Sequence, residues 1–200
     1  MAIRALESHL PRPVRQFLRR NERSAWKGLV AGAAGGLAGT IIMTQFQNAW
    51  HQAGEKKRSR DTRTEQNRSR EQNSEQKPEQ KEDATMKAAG KLARVAGQEL
   101  TRDQRKQASP LVHYGFGMAM GALYGMAMET SPRQVRAQRI PFVGSLFGSA
   151  LFLGADEMAV PALGLSEVSE TPSTHVYGWA SHLVYGLTAE FVRRQVRRRL

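Results

Sequence analysis

Apolar positions in this chain are gathered into four blocks free of Asp, Glu, Lys and Arg, at 28–54, 111–128, 140–155 and 171–189. Each approaches the ~20 residues that a helix needs to cross ~30 Å of hydrocarbon. The pattern therefore predicts an all-α integral membrane four-helix bundle. Its spans are expected at 27–49, 110–129, 141–165 and 174–192. The third is the unusual one, because PFVGSLFGSALFLGADEMAVPALGL carries Asp156 and Glu157 inside it. A carboxylate within an apolar span costs roughly 2.5–3.5 kcal/mol on insertion scales, so it should face a partner or a wet cavity. Pro161 stands four residues after Glu157 and removes the hydrogen bond that would end on the Glu157 carbonyl, which predicts a helix kink beside the acids.

Glycine is the second pattern. The first span has Gly28, Gly32 and Gly36 at four-residue spacing, the second Gly117, Gly121 and Gly125, the third Gly144 and Gly148, and the fourth Gly178 and Gly186. Small residues at this spacing let helix backbones approach closely where lipid supplies no hydrophobic drive between helices. In water so many glycines would weaken each helix, by up to ~1 kcal/mol apiece relative to alanine. The second and fourth spans also repeat each other. His113-Tyr-Gly followed by Tyr124-Gly-x-x-x-Glu129 is matched by His175-x-Tyr-Gly followed by Tyr185-Gly-x-x-x-Glu190. Two tandem helical hairpins with glycine-ladder packing follow, parallel to each other and related by an axis along the membrane normal.

Between the spans the composition changes sharply. Residues 1–26 read as a basic amphipathic tail, either lying on an anionic leaflet or only fixing topology. The segment 50–82 is a polar loop without a hydrophobic core, expected to be disordered, and 83–109 is expected to hold short helices at one mouth of the bundle. Within it, Thr101 and Gln104 have the spacing of a capping box. The loop 130–140 contains Arg133, Arg136 and Arg139 without an acid, and the tail 193–200 contains five arginines, whereas 166–173 holds only Glu167 and Glu170. The excess of positive charge predicts that both termini are cytoplasmic and that 50–109 and 166–173 lie outside.

The net charge of +12 raises the possibility of a nucleic-acid partner. The arginines flank apolar blocks and lack interleaved aromatics, so the expected partners are the lipid bilayer and, through ladder faces, a second copy or another membrane protein, with no nucleic acid. The absence of cysteine excludes disulfides, thiolate metal sites and a Cys nucleophile. No metalloprotease, hydrolase or phosphate-loop motif occurs, so the chain is expected not to be an enzyme and no cofactor or metal is expected.

Asp156 lies nine residues before Leu165, and His182 eight after Thr174. At ~1.5 Å per residue both fall ~12–14 Å from the outer face. Asp156, Glu157 and His182, with His113 and Thr44 around them, form the expected polar intramembrane focus. An acid beside an imidazole away from water suits a proton relay or a cation site, or else a structural pair that fixes helix register. Glu129 and Glu190, at the inner ends, are expected to pair with arginines such as Arg133, Arg193 and Arg194.

The segments Glu82-Asp-Ala-Thr85, His113-Tyr-Gly, Ala122-Leu-Tyr-Gly125, Gly154-Ala-Asp-Glu-x-x-x-Pro-Ala-Leu-Gly164 and His182-Leu-Val-Tyr-Gly-Leu-Thr-Ala-Glu190 resemble the YagU-like family of small bacterial inner-membrane proteins. That is a domain family of unknown function, and the likeness runs from about 26 to 197. The resemblance implies a multipass protein of the bacterial cytoplasmic membrane, with no reaction or ligand to carry over. The resulting expectation is a small pore or carrier component with a proton- or cation-linked acid/histidine site. The alternative is a membrane scaffold or assembly protein whose acids are structural.

Overall fold

The computed structural model describes residues 12–65, 83–165 and 172–200, with side chains from 25 to 56 in the first of these stretches. All described secondary structure is helical. In chain order it comprises α1 (Arg12–Glu65), α2 (Ala84–Val95), α3 (Arg102–Thr130), α4 (Arg133–Arg136) and α5 (Ile140–Leu151). A π-helical segment (Phe152–Ala159), α6 (Val160–Ala162) and α7 (Pro172–Arg199) complete it.

Several helices overrun the boundaries that the charge pattern suggests. Helix α1 continues to Glu65, so 50–65 is helical rather than a disordered loop; 66–82 and most of the 166–173 loop lie outside the described residues. Of the basic tail, 1–11 also lies outside them and the side chains of 12–24 are not described. Helix α3 runs unbroken through Pro110, so the second of the short helices expected within 83–109 is the first part of this long one. The 193–200 tail is likewise the last turns of α7. Charged residues favour helix well enough that a change in polarity does not by itself end one. Where caps exist, the ends are sharp. Asp83 accepts from the Met86 amide at 2.7 Å to open α2, and Gly97, at a φ of 76°, follows its end. Thr101 and Gln104 form a complete capping box at α3.

Helix α1 packs against both α3 and α7, and α5 packs against α7. The crossings occur at glycines. A Cβ on Gly32 would stand 2.8 Å from the Gly125 Cα, and one on Gly121 would stand 2.5 Å from the Gly36 Cα. In the second pair, a Cβ on Gly186 would stand 2.8 Å from the Gly148 Cα, and one on Gly144 2.9 Å from the Leu187 Cα. These distances are too short for any side chain, so the backbones themselves are in contact.

The two pairs are in register. Shifting α1 by 116 residues places Gly28 on Gly144 and Gly32 on Gly148, and shifting α3 by 61 places Gly117, Tyr124, Gly125 and Glu129 on Gly178, Tyr185, Gly186 and Glu190. Under those shifts Thr40 corresponds to Asp156, and the contacts correspond too. The Thr40 hydroxyl lies against Gly117, while Phe152 and the Asp156 carboxylate lie against Gly178, at 3.0 and 3.9 Å from the Cβ position.

Polar and charged side chains share the interior with apolar ones such as Met43, Val143 and Leu151. The largest fully buried side chains are Tyr185, Glu190, Thr40 and Ser181. Large apolar residues lie outside on all four long helices, including Leu29 and Ile42 on α1, Leu111 and Leu123 on α3, Phe142 and Leu146 on α5, and Val176 and Phe191 on α7. Among the described residues two helical stretches are long and apolar enough to cross a membrane, Ala25–Lys56 and Ile140–Ala162.

Candidate functional site

The kink expected at Pro161 takes the form of a π-helical stretch before it. Pro161 has no N–H to offer, and the helix widens over Phe152–Ala159, closing again with Leu163 donating to the Ala159 carbonyl at 2.9 Å. Gly164, at a φ of 62°, then turns the chain. The wide turn contains both acids. A π-bulge shifts the facing of the residues within it, and here each carboxylate meets an imidazole on α7.

Asp156 Oδ2 lies 3.6 Å from His182 Nδ1, an ion-pair distance longer than a hydrogen bond. The same nitrogen is 3.0 Å from the Gly178 carbonyl oxygen. A carbonyl can only accept, so Nδ1 carries hydrogen and Nε2 is the nitrogen able to take a further proton. His182 is buried, whereas the Asp156 side chain is 41% exposed, so the pair joins the bundle interior to its surface. Glu157 Oε1 lies 2.7 Å from His175 Nδ1 on the more exposed side of α7. His113 stands half-buried on α3, its ring 5.8 Å from that of Tyr114. Thr44 instead donates to the carbonyl of Thr40 on its own helix at 2.9 Å, which is the standard fate of a threonine inside a helix.

Of the residues expected at the polar focus, Asp156, Glu157 and His182 are brought together between the widened turn and α7, while the Thr44 hydroxyl is bonded within α1. His175 is the member that the sequence reading used only as a repeat marker. Its pairing with Glu157 depends on the widened turn, and nothing in spacing alone reveals that. Around the same end, the Tyr177 hydroxyl lies 3.2 Å from His51 Nε2, and Trp50 and Tyr177 rings sit 5.8 Å apart. Lys91 on α2 reaches the Leu163 carbonyl, so the cap helix is tied to the turn that follows the acids.

A second polar cluster occupies the opposite end. Glu190, with no exposed surface, receives Arg193 at 2.7 and 2.9 Å, Arg194 at 2.5 Å and the Tyr124 hydroxyl at 2.8 Å. Glu129 is held by Arg197 at 2.7 and 3.2 Å and lies 3.9 Å from Arg136, rather than pairing with Arg133. These acids have their lone pairs filled by guanidinium forks and are structural anchors for the arginines. Among the described residues no group of His, Asp and Glu could hold a metal ion.

Compared with models of known protein families, with curated proteins and with solved structures, the chain matches none of them. The site has therefore to be interpreted from its own geometry.

Proposed function

We propose that this chain is a four-span membrane protein of the bacterial cytoplasmic membrane, with both termini cytoplasmic, and a small pore or carrier component that is proton- or cation-linked. The YagU-like resemblance belongs to the same proposal. The membrane part is supported by the large apolar side chains on the outside of the bundle. Leucines and phenylalanines face outward from all four long helices while Glu190, Thr40 and Ser181 are buried. Soluble monomers rarely expose contiguous apolar surface on this scale, and lipid is the solvent that welcomes it. Glycine-ladder contact between α1 and α3, and between α5 and α7, is the packing that such a bundle needs.

The single observation that carries the proton- or cation-linked part is the π-helical turn with a carboxylate facing an imidazole at each of two positions. Imidazole is the side chain that changes charge near neutral pH, and a carboxylate opposite it makes the two protonation states exchangeable. Asp156 is the exposed partner that exchanges with the outside, and His182 the buried one that holds the proton or orders a cation. The test is proton-linked flux in liposomes containing the purified chain. Asp156→Asn should reduce flux to that of empty liposomes while leaving the folded yield intact. Unchanged flux would contradict the proposal. A loss of folded yield without an effect on flux would favour the scaffold alternative, which the fully neutralised Glu190 cluster already exemplifies at the other end.

A further inference from the structure

The arginines at the end opposite the acid–imidazole group enclose an open cavity of about 460 Å³, at the meeting of α3, α4 and α7. Six arginines line it against one glutamate, Glu129. The six divide by what holds them. Arg193, Arg194 and Arg197 form the inner wall, fixed by Glu190 and Glu129. Arg193 is itself almost fully buried. Arg133, Arg136 and Arg198 form the exposed outer wall; among the described residues Arg133 and Arg198 make no ion pair, and Arg136 only approaches Glu129 at 3.9 Å. Arg194 also donates to the Gln138 carbonyl at 2.6 Å, which ties α7 to the connection between α4 and α5 and closes one side of the cavity.

We infer that this cavity binds the phosphate headgroup of an anionic phospholipid. Phosphate is the chemistry that fits, because planar guanidinium forks match its oxygens in pairs and Arg133, Arg136 and Arg198 line the space with forks that are not committed to a bidentate carboxylate pair, backed by the positive charge of the inner three. Glu129 does not oppose the anion, since its oxygens are already occupied by Arg197. The lipid source rather than a free phosphate is indicated by the neighbouring surface. Phe142 and Leu146 on α5 and Phe191 on α7 are more than half exposed and begin within a turn or two of the cavity rim, where acyl chains would run. Basic pockets at the cytoplasmic ends of membrane helices bind such headgroups for this reason. The assignment rests on the membrane reading above, and it adds a ligand that the acid–imidazole group does not involve.

The test uses the full chain purified in neutral detergent, with a diphosphatidylglycerol and a phosphatidylcholine as probes and bound lipid counted by native mass spectrometry. The diphosphatidylglycerol should be retained in preference to the phosphatidylcholine. Substituting Arg133→Ala, Arg136→Ala and Arg198→Ala together should weaken its binding by about 100-fold, at roughly 1 kcal/mol for each cation near an anionic headgroup. The equally charge-depleted Lys56→Ala, Arg94→Ala, Lys106→Ala chain, altered at the other end of the bundle, and Asp156→Asn should both bind as the unaltered chain does. Equal retention of the two lipids, or undiminished binding by the first triple variant while it still partitions with membranes, would overturn the assignment alone. Displacement of the lipid by micromolar pyrophosphate would overturn the lipid source in favour of a soluble phosphate. Recovery of the unaltered chain in the soluble fraction would overturn this assignment together with the membrane reading.

Discussion

The pair α1/α3 and the pair α5/α7 are built on one plan, and they differ where chemistry requires it. Both cross at glycines, Gly28 and Gly32 against Gly125 in the first and Gly144 and Gly148 against Gly186 in the second, and both carry a tyrosine and a glutamate at equivalent places on the second helix. In the first pair the positions that follow are Gly36 and Thr40, facing Gly117 and Gly121; in the second they are Phe152 and Asp156, facing Gly178 and His182. Replacing two glycines by Phe and His, and a back-bonded threonine by Asp, turns a plain helix crossing into an acid–imidazole pair. Thr40 needs no partner outside its helix, since it donates to the Gly36 carbonyl at 2.9 Å. Asp156 has no such option as a carboxylate, and the widened π turn brings it to α7.

The halves also meet each other unequally. Helix α1 presents Ala31, Gly35 and Gly39 to α7, where a Cβ on Gly39 would lie 2.9 Å from the Tyr185 ring and carbonyl. The equivalent positions on α5 are Phe147, Leu151 and Ala155, and there the contact with α3 is between side chains, with Phe147 stacked on Tyr124 at 3.9 Å. Tyr185 donates to the Gly117 carbonyl at 2.6 Å, whereas its counterpart Tyr124 reaches down to Glu190. The two pairs share a frame, and large residues on one of them prop one edge of it apart.

The largest effect that tests this comparison is at the paired glutamates. Glu190→Ala should cost ~3–5 kcal/mol, because it leaves Arg193 buried without its partner. Glu129→Ala, whose partners Arg136 and Arg197 are partly exposed and can turn to water, should cost less than half as much. Thermal unfolding of the two purified variants measures the difference, and equal losses would show that the two glutamates anchor their helices equally. Next come the crossings. Gly121→Ala places a Cβ against backbone on α1 and should destabilise by about 1–3 kcal/mol, with Gly144→Ala, where the nearest atoms are farther, below it in the same range. Gly115, with nothing within 4 Å of its Cβ position, is the control; Gly115→Ala should be stabilising by up to ~1 kcal/mol. The smallest effect on stability is expected from Asp156→Thr, which makes the second pair resemble the first. It should leave the unfolding temperature within a few degrees of the original and remove proton-linked flux. A variant that keeps its flux would break the functional distinction between the halves.

Much of this frame was legible in the residues, and the reasons are physical. Charge-free blocks and four-residue glycine spacing report helices and their close faces directly, and the YG-x-x-x-E segments pointed to the matching register of the two pairs, whereas His113-Tyr-Gly does not fall on His175-x-Tyr-Gly in that register. Asp156, Glu157, His182 and His113 were found because acids and imidazoles within apolar runs are costly unless used. Helix ends were poorly legible, as in α1 beyond Ala49 and α3 before Leu111, because polar residues with good helix propensity extend a helix without an apolar signal. The Thr44 hydroxyl bonds the Thr40 carbonyl, because a threonine hydroxyl can be satisfied within its own helix. The Glu157–His175 pair and the arginine cavity were hidden for a common reason, which is that they depend on how a widened turn and separate helix ends face each other in space.

The most direct measurement is the sidedness of the two ends of the bundle. Because the chain lacks cysteine, single replacements at Gln98, between α2 and α3, and at Gln134, in α4, report cleanly to an impermeant maleimide. The account predicts labelling of Gln98→Cys in intact cells and of Gln134→Cys only after the cells are opened, which puts the acid–imidazole group on the outer side and the arginine cavity on the cytoplasmic side. The reverse pattern, labelling of both in intact cells, or recovery of the protein in the soluble fraction would contradict it.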